Sequence, residues 1–391
     1  MSTQIQIAPK SASGIFGISD SAGTYTYYAT FTLAMAAATS GQTIEMFTSV
    51  VETGAVTITL KDGVTINGNG HTYTVSNAGL TDVFETTIAG IYRIYNLNVI
   101  RTNATGGYVL NAKNLVVSIH YFDGTHFTTN KGGIYSGSAN VIQKFYNGKI
   151  TISGSGIGIA GLQDNEFYNF VLRATSTATG ALFNVGVIYN STFNYEGNGT
   201  SALYLDAFNC TFIARGGGHT IQNGRNISNC SIYNFANFGN YVNCVQFNNC
   251  LLYSATSYGS YTESGTLYKN CTIVSNGNIG AVNGHHRNSA ILSTAGIGAY
   301  IFFVVGYHYN CTIQSSWNNA AGHGVRIGIA NVDIVECAIE VANSSANIIN
   351  ALSAFTTKYA NNAFKGATTD INANITQGVT NVHDLQGNIL I

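Results

Sequence analysis

Phe208-Asn209-Cys210-Thr211-Phe212 is a five-residue stretch that returns almost unchanged along the chain. The shared order is Asn, a small residue, any residue and a large apolar residue, repeated roughly every twenty residues. With the second position relaxed, the repeat forms a ladder whose steps run from 18 to 26 residues, apart from one step of 33. The ladder positions are Asn96, Asn114, Asn147, Asn169, Asn190, Asn209, Asn229, Asn249, Asn270, Asn288, Asn310, Glu336 and Asn361. A step this regular indicates a repeat architecture.

Three columns of the repeat carry apolar or small side chains. Large apolar residues such as Phe212 and Leu252 stand three residues after each ladder position. Small residues, including six of the seven cysteines, stand one residue after, and mostly apolar residues such as Phe247 stand two residues before. Around Asn114 this alignment assigns Ala112 and Val117 to the same columns. Because alternate residues of a strand share a face, the three columns predict one continuous core.

The period and the residue types together predict a parallel β-helix. A period near twenty residues with β-branched and aromatic enrichment is typical of solenoids, whose coils stack and bury a common core. No 3.6-residue pattern or leucine consensus recurs in the repeats, so helical and leucine-rich solenoids are excluded. Asn suits the sharp turn between two strands of a coil because it tolerates the left-handed region. Stacked at ~4.8 Å per coil, these Asn amides are expected to bond along the axis.

The ladder and the beginning of the chain resemble the pectin-lyase-like right-handed parallel β-helix superfamily. The beginning consists of LAMAAATSGQTI at residues 33–44 and GVTINGNGH at residues 63–71. In that superfamily such a beginning forms a short capping helix, a first strand and a first Gly/Asn turn. The resemblance, which covers roughly residues 24–365, implies a right-handed solenoid with a capping helix within residues 29–40. It says little about activity, since lyases, hydrolases, phage tailspikes and adhesins share this fold.

We therefore predict an all-β protein with a right-handed parallel β-helix of about 13 or 14 coils. Three segments are expected: an N-terminal arm over residues 1–23, the β-helix over residues 24–365 and a C-terminal cap or tail over residues 366–391. The long step between Asn114 and Asn147 predicts an inserted loop or an irregular coil.

Charge and cysteine content restrict the partners and the compartment. Only 8% of residues are charged and the net charge is −1, so we expect neither nucleic-acid binding nor insertion into a membrane. The first ten residues do not read as a secretory signal. Cysteines stacked at ~4.8 Å are further apart than disulfide geometry prefers, which predicts free buried thiols and synthesis in a reducing cytoplasm.

A polar, weakly charged surface combined with cytoplasmic synthesis is what a bacteriophage structural protein requires. We therefore expect a virion protein made in the host cytoplasm, with an extracellular location as the alternative. Other virion proteins and a second and third copy of the chain, in a parallel homotrimer, are the expected protein partners.

One face of the predicted helix carries candidate ligand-binding residues. Tyr146, Tyr168 and Tyr189 each immediately precede a ladder position, which directs them outward in one file. Glu166 and Asp206 stand three residues before their ladder positions, two coils and roughly 9 to 10 Å apart. Aromatic side chains beside two acids suit a cell-surface polysaccharide or glycan, and the spacing is at the upper edge of that used by inverting glycosidases. The alternative is a solvated sheet face whose tyrosines stack for stability.

We interpret two histidine-containing segments as structural elements that bind no ligand. The Gly322-His323-Gly324 segment resembles one in polygalacturonases, but residues 306–316 contain no carboxylate, so we interpret it as a turn. His286 and His308 occupy the inward column on successive coils and are expected to form a hydrogen-bonded core pair. No cofactor motif, metal-ligand spacing or nucleophile motif is present.

The sequence thus predicts a virion-associated fibre, spike or decoration protein that displays a glycan-binding β-helix without catalysis. The alternative is a polysaccharide-degrading hydrolase or lyase, with Glu166 and Asp206 as its catalytic candidates.

Overall fold

The computed structural model describes residues 14–377 except 21, 77, 113–117, 137–140, 155–157, 161–164, 176–185, 198–204, 217–220, 222, 236–243, 263–264, 278, 302–306, 329–331, 353–354, 368 and 372–374. Its contacts divide the chain into unit 1, residues 1–152 and 161–164, and unit 2, residues 153–160 and 165–391. The architecture is an all-β right-handed parallel solenoid of about 12 turns, close to the 13 or 14 expected. The predicted fold class is therefore confirmed.

Within its described residues, unit 1 contains one helix and short strands. These are β1 (Phe16–Ser19), β2 (Tyr25–Tyr28), α1 (Phe31–Ala37), β3 (Thr43–Met46), β4 (Val50–Thr53), β5 (Ile58–Thr59), β6 (Thr65–Asn67), β7 (Thr72–Ser76), β8 (Phe84–Thr86), β9 (Gly90–Tyr95), β10 (Asn98–Arg101), β11 (Tyr108–Ala112), β12 (Ser118–Asp123), β13 (His126–Thr129), β14 (Gly132–Ser136), β15 (Val141–Tyr146) and β16 (Lys149–Ile152).

Unit 2 contains strands only within its described residues. These are β17 (Ile159–Ala160), β18 (Asn165–Tyr168), β19 (Val171–Ala174), β20 (Gly186–Tyr189), β21 (Thr192–Tyr195), β22 (Leu205–Phe208), β23 (Thr211–Ala214), β24 (Asn226–Ser228), β25 (Ser231–Asn234), β26 (Gln246–Asn248), β27 (Leu251–Ser254), β28 (Ser260–Tyr261), β29 (Leu267–Lys269), β30 (Thr272–Ser275), β31 (Ala281–Val282), β32 (His285–Arg287), β33 (Ala290–Ser293), β34 (Ala299–Ile301), β35 (Tyr307–Tyr309), β36 (Thr312–Ser315), β37 (Val325–Ile327), β38 (Val332–Val335), β39 (Ala338–Val341), β40 (Asn347–Ala351), β41 (Phe355–Ala360), β42 (Ala363–Lys365), β43 (Thr369–Ile371) and β44 (Ile375–Gln377).

Successive coils place their strands in parallel sheets. In unit 1 the first sheet stacks β3, β6, β9, β12 and β15, the second stacks β4, β7, β10, β13 and β16, and the third stacks β5, β8, β11 and β14. In unit 2 the first sheet runs from β18 to β44, the second from β19 to β42 and the third from β28 to β43. Each coil contributes one strand to a sheet, so equivalent residues lie one above the other.

The core follows the predicted columns. Ile232, Leu252 and Ile273 pair in register on three successive strands of the second sheet, and none is exposed to solvent. At the last coil of that sheet Phe364 is only half-buried, because no further strand covers it among the described residues. Burial on every second residue is the physical reason why the alternating sequence folds as strands here.

The ladder residue makes the turn from the first sheet to the second. Every ladder position that the structure describes has a left-handed backbone, with φ between 49° and 57°. From Asn209 to Asn310, each side-chain amide donates a hydrogen bond of 3.0 to 3.3 Å to the amide oxygen one coil before, and Asn190 is the first acceptor. Asn serves both needs, since it tolerates this backbone and carries a donor and an acceptor.

The column after the ladder also makes hydrogen bonds. Cys210 Sγ donates to the Phe208 carbonyl at 3.2 Å, and Ser191 Oγ donates to the equivalent Tyr189 carbonyl at 2.7 Å. All seven cysteines are free and buried. A small side chain with a donor suits this position, and a thiol and a hydroxyl both supply it, whereas Leu97 and Phe170 occupy it on two other coils without a donor.

The prediction around Asn114 was wrong. Asn114 and Val117 lie outside the described residues, and Ala112 belongs to the third sheet, where it pairs with Thr86 and Ser136. The turn is made instead by Gly124, with φ of 59°, and β12, β13 and β14 form a regular coil where an inserted loop or an irregular coil was expected. Glycine adopts the left-handed region although it has no side chain, so a repeat defined by Asn does not identify this turn.

The first coil is covered by the predicted helix. Thr30 Oγ1 accepts a hydrogen bond from Leu33 N at 3.2 Å and caps α1, whose Phe31 ring stacks on Phe16 at 4.9 Å. Strand β1, which lies within the predicted arm, pairs antiparallel with β3 and so covers the edge of the first sheet. At the other end, β43 and β44 extend the sheets beyond residue 365. No helix among the described residues is long and apolar enough to span a membrane.

The ladder predicts a specific order of stability at Asn249. Asn249→Gly removes the two amide hydrogen bonds but keeps a residue suited to φ of 53°. Asn249→Ala removes the same bonds and also strains the backbone, so its free energy of unfolding should be lower than that of the Gly variant by about 1 kcal/mol. Urea denaturation measures both values. An Ala variant as stable as the Gly variant would show that the left-handed turn is not the constraint.

Candidate functional site

The first sheet of unit 2 brings four candidate residues together. β18, β20 and β22 lie side by side in register, so Tyr168, Tyr189 and Phe208 occupy one outward column. In the column two residues before it, Val187 separates Glu166 from Asp206. The residues are half-buried, as expected for the outer face of a sheet. We call Tyr168, Tyr189 and Phe208 the stacked row.

The rings of the stacked row lie face to face. The ring centroids of Tyr168 and Tyr189 are 4.8 Å apart with planes at 9°, and those of Tyr189 and Phe208 are 5.1 Å apart at 15°. Such stacking covers the inner faces of the rings and leaves their edges outward. The row can therefore offer edges and hydroxyl groups to a ligand, whereas most of its ring faces are occupied by one another.

Tyr146 ends β15 in the first sheet of unit 1, at the same distance before its own ladder residue. The three residues of the stacked row belong to unit 2. The part of the predicted file that the structure assembles within one unit is therefore Tyr168 and Tyr189, and Phe208 extends it by one coil.

Asp206 is held by the following coil. Its carboxylate forms a salt bridge with Arg225 at 2.9 Å and accepts hydrogen bonds from the backbone and side-chain amides of Asn226, at 2.9 and 3.1 Å. Asn226 Oδ1 in turn accepts a hydrogen bond from Gln246 Nε2 at 2.6 Å. This chain of contacts ties three coils together on the outer face of the sheet.

Glu166 lies two strands from Asp206, which corresponds to roughly 9 to 10 Å between the strands. Arg173 and Arg215, which are near these acids in sequence, belong to β19 and to the residue after β23, both on the second sheet. Within the described part of the chain, no group of three or more His, Cys, Asp or Glu side chains is arranged to hold a metal ion.

The two core histidines stack but do not bond to each other. His286 and His308 have ring centroids 4.8 Å apart at 13°, and His286 also stacks on Tyr268 at 4.7 Å. The predicted stacking is present, whereas the predicted hydrogen bond is wrong, because none of the four ring nitrogens has a partner within the described residues. The rings lie flat on one another at the coil spacing, and their in-plane nitrogens therefore cannot point at each other.

Burial without partners favours neutral imidazoles. Burial, with smaller contributions from His308 and His285, lowers the pKa of His286 well below its usual value. In unit 1, burial lowers the pKa of His120 to about 3, and neither of its ring nitrogens has a partner among the described residues. Both side chains are completely shielded from solvent.

A turn over residues 319–322 precedes β37, and only the first glycine of the Gly322-His323-Gly324 segment belongs to it. The interpretation of this segment as a turn was therefore wrong for His323 and Gly324, whose backbone groups bond to neighbouring coils. His323 Nδ1 accepts a hydrogen bond from the backbone N–H of Asn347 at 3.0 Å. Burial, followed by the charge of Arg326, lowers the pKa of this histidine. The segment thus joins two coils through a neutral histidine.

The sequence interpretation missed an aromatic cluster on the second sheet of unit 2. Tyr233 and Tyr253 are partners on β25 and β27, and Phe235 follows directly after β25. The signal was available, since both tyrosines stand four residues after ladder positions and therefore point outward. An apolar pocket also lies at the end of this sheet, between Ile339 and Phe364.

Comparisons with known proteins give structural neighbours only. No family model matches the chain, and no curated protein matches its sequence. Among solved structures, the chain is similar to the A-module of the Azotobacter vinelandii mannuronan C-5 epimerase AlgE6, at 12% identity and a TM-score of 0.39, covering 89% of this chain and 93% of that one. It is similar to the A-module of AlgE4 from the same organism at 11% identity and a TM-score of 0.35, covering 89% and 94%. Both neighbours are parallel β-helices.

The buried histidines predict a loss of stability in mild acid. A histidine whose folded pKa is depressed stabilises the fold fully above its unfolded value near 6.5, and this contribution is lost as the pH falls towards the folded value. For His120 this window extends from about 6.5 to about 3, with a slope of roughly 1.4 kcal/mol per pH unit.

His286→Phe keeps a ring in the stack and removes one titrating group. Urea denaturation between pH 7 and pH 5 should show a shallower decline for this variant than for the parent chain, because the carboxyl contributions are common to both. A parallel decline in the two proteins would mean that His286 is not buried as a neutral group.

Proposed function

We propose that this protein is a non-catalytic carbohydrate-binding β-solenoid displayed on a virion as a fibre, spike or decoration protein. The observation that carries the carbohydrate part is the outer face of the first sheet, where the stacked row runs beside Glu166 and Asp206. The ligand is a cell-surface polysaccharide or glycan, and other virion proteins are the partners that hold the chain.

The spacing of the rings in the stacked row matches the repeat of a polysaccharide. The stacked row advances by 4.8 to 5.1 Å per ring, and a sugar unit spans about one coil spacing of ~4.8 Å. Tyrosine hydroxyl groups donate and accept hydrogen bonds, and carboxylate oxygens accept them, which matches the hydroxyl groups of a sugar chain. Because the ring faces are largely covered, recognition on this sheet rests on hydrogen bonds more than on stacking.

The contacts of Asp206 and its separation from Glu166 support binding without catalysis. A glycosidase needs one carboxyl group to protonate the leaving oxygen and another to act as base or nucleophile. Asp206 already accepts hydrogen bonds from Asn226 and a salt bridge from Arg225. The second acid, Glu166, lies two strands away with Val187 between them.

A polysaccharide hydrolase or lyase is the second candidate, because a spacing of roughly 9 to 10 Å is at the upper edge for inverting enzymes. A reducing-end assay on host capsular or cell-wall polysaccharide tests it. Turnover that disappears in both Glu166→Gln and Asp206→Asn would establish the enzyme and overturn the non-catalytic proposal.

The virion location and the homotrimer rest on composition. With 8% charged residues, a flank of the solenoid can be buried against another copy at little desolvation cost. Sedimentation equilibrium at micromolar concentration should give three times the chain mass. A stable monomer under these conditions would count against the trimer.

Tyr189→Phe tests the stacked row with little disturbance of the fold. The change keeps the ring between Tyr168 and Phe208 and removes only the hydroxyl group. Binding to host surface polysaccharide, measured by calorimetry, should weaken by roughly two- to tenfold for each hydrogen bond lost, with an unchanged melting temperature. Tyr258→Phe, near the third sheet, is the control and should bind like the parent.

An alanine substitution would be less informative at this row. Tyr168→Ala removes a ring that stacks on Tyr189 and should cost about 0.5 to 1.5 kcal/mol of stability in addition to any contact with a ligand. Unchanged binding in both Tyr168→Phe and Tyr189→Phe would show that the row has a structural role only.

A further inference from the structure

Four polar side chains follow one another on the outer face of the first sheet of unit 2. Strands β26, β29, β32 and β35 pair in register, so Asn248, Lys269, Arg287 and Tyr309 occupy one column, each immediately before a ladder residue. Lys269 and Arg287 are exposed, whereas Asn248 and Tyr309 are half-buried. We call Asn248, Lys269, Arg287 and Tyr309 the polar row.

Two cations are direct neighbours in the polar row. Lys269 and Arg287 are partners on adjacent strands, which are ~4.8 Å apart. Within the described first sheet of unit 2, this is the only place where two charged residues of like sign are partners on adjacent strands. Like charges directly opposite one another destabilise a sheet, so this arrangement favours the binding of a counter-ion.

The protein does not supply that counter-charge from its described residues. Neither of the two cationic side chains has an ion pair or a hydrogen bond there. Asp333 lies on the coil after Tyr309, two strands from Arg287. The column before the polar row on the same four strands contains no acid, since it consists of Gln246, Leu267, His285 and Tyr307. The surface around the two cations is therefore electropositive.

Tyr309 is held in place at one end of the polar row. Its hydroxyl donates a hydrogen bond of 3.3 Å to Asp333 Oδ2, and its ring packs edge to face with that of Tyr307 at 5.3 Å between centroids. Tyr307 in turn stacks on His285 at 4.3 Å. Because the hydroxyl proton points to Asp333, the hydroxyl oxygen of Tyr309 is left to accept a hydrogen bond from a ligand.

The paired cations favour a phosphate monoester over a carboxylate. A monoester carries about −1.5 to −2 charge at pH 7 and three strong acceptor oxygens, so one group can neutralise both cations. A carboxylate carries a single charge on two oxygens, and one guanidinium satisfies it in a bidentate pair. Lysine binds phosphate as a point charge, and arginine binds it with a planar fork of donors.

We infer that the polar row binds the phosphate monoester of a sugar, with Lys269 and Arg287 on the phosphate oxygens and the attached sugar beside Tyr309 or Asn248. The row spans three coil steps, ~14 Å, which accommodates a central phosphate group and a sugar unit at either end. The Tyr309 oxygen and the Asn248 amide form hydrogen bonds that suit sugar hydroxyl groups. The sugar part rests on the proposed carbohydrate-binding function, whereas the phosphate part rests on the two cations alone.

The test is calorimetry on the full chain at low salt, with the 6-phosphates of glucose, mannose and galactose, glucuronate and inorganic phosphate as probes. The preferred sugar phosphate should bind roughly tenfold more tightly than glucuronate, because it carries the larger charge. Lys269→Gln and Arg287→Gln should each weaken its binding by about tenfold or more, since each removes a charge-assisted hydrogen bond. Their melting temperatures should be equal to that of the parent or higher, because one of two like charges is removed.

Control variants separate this site from general charge effects. Arg173→Gln removes an exposed cation from the second sheet and should bind the sugar phosphate like the parent. Tyr189→Phe, which changes the stacked row, should also leave this binding unchanged. At least one of Tyr309→Phe and Asn248→Ala should weaken binding of the sugar phosphate by roughly two- to tenfold and leave that of inorganic phosphate unchanged.

The outcomes distinguish this inference from the proposed function. An equal loss of binding in Arg173→Gln would overturn the site, and glucuronate binding as tightly as the sugar phosphates would overturn the phosphate assignment. Inorganic phosphate binding as tightly as every sugar phosphate would indicate an adventitious ion only.

A result in which no phosphate compound binds, while Tyr189→Phe weakens binding of host polysaccharide, would overturn this inference and leave the proposed function intact. Conversely, the sugar phosphate can bind through Lys269 and Arg287 while Tyr168→Phe and Tyr189→Phe leave polysaccharide binding unchanged. That result would support the site at the polar row and give the stacked row a structural role only.

Discussion

A left-handed turn repeated once per coil is the constraint on which the rest of this structure depends. The turn requires φ near 50° at one residue, and Asn occupies it at most described positions because its short polar side chain tolerates that region. The amides then bond to one another from Asn190 to Asn310. This one position aligns the strands before and after it, so each coil is in register with its neighbours.

Register decides which side chains meet, and the two outer faces show how differently aromatic residues can be used. Tyr168, Tyr189 and Phe208 share a column, so their rings stack at the coil spacing and stabilise the sheet. Phe235 stands diagonally to Tyr253, whose hydroxyl is held by Asn276, and the two rings remain tilted. The same residue types thus stack face to face on one sheet and lie tilted on the other.

Aromatic and histidine rings also stack in the core, where the histidine ring nitrogens are left without hydrogen bonds among the described residues. Phe247, Tyr268, His286 and His308 form a continuous pile of flat rings with separations of 4.7 to 5.2 Å. Imidazole fits this pile by shape, but its nitrogens lie in the ring plane and find no partner among the described residues. Stacking and apolar burial offset the cost of leaving those atoms unbonded, and the fold tolerates them only as neutral groups.

The sequence by itself determined the solenoid, the inward columns, the capping helix and the register of Glu166, Tyr168, Tyr189 and Asp206, because a period of one coil maps directly onto stacked strands. It misplaced the turn at Asn114, since Gly124 meets the same backbone demand with no side chain to recognise. Only the tertiary structure decided the tilt of the rings, the absent histidine hydrogen bond and the contacts of Asp206 with Arg225 and Asn226. Those depend on side-chain torsions and on neighbours one coil away, and a linear pattern specifies which residues are adjacent but not how they turn towards each other.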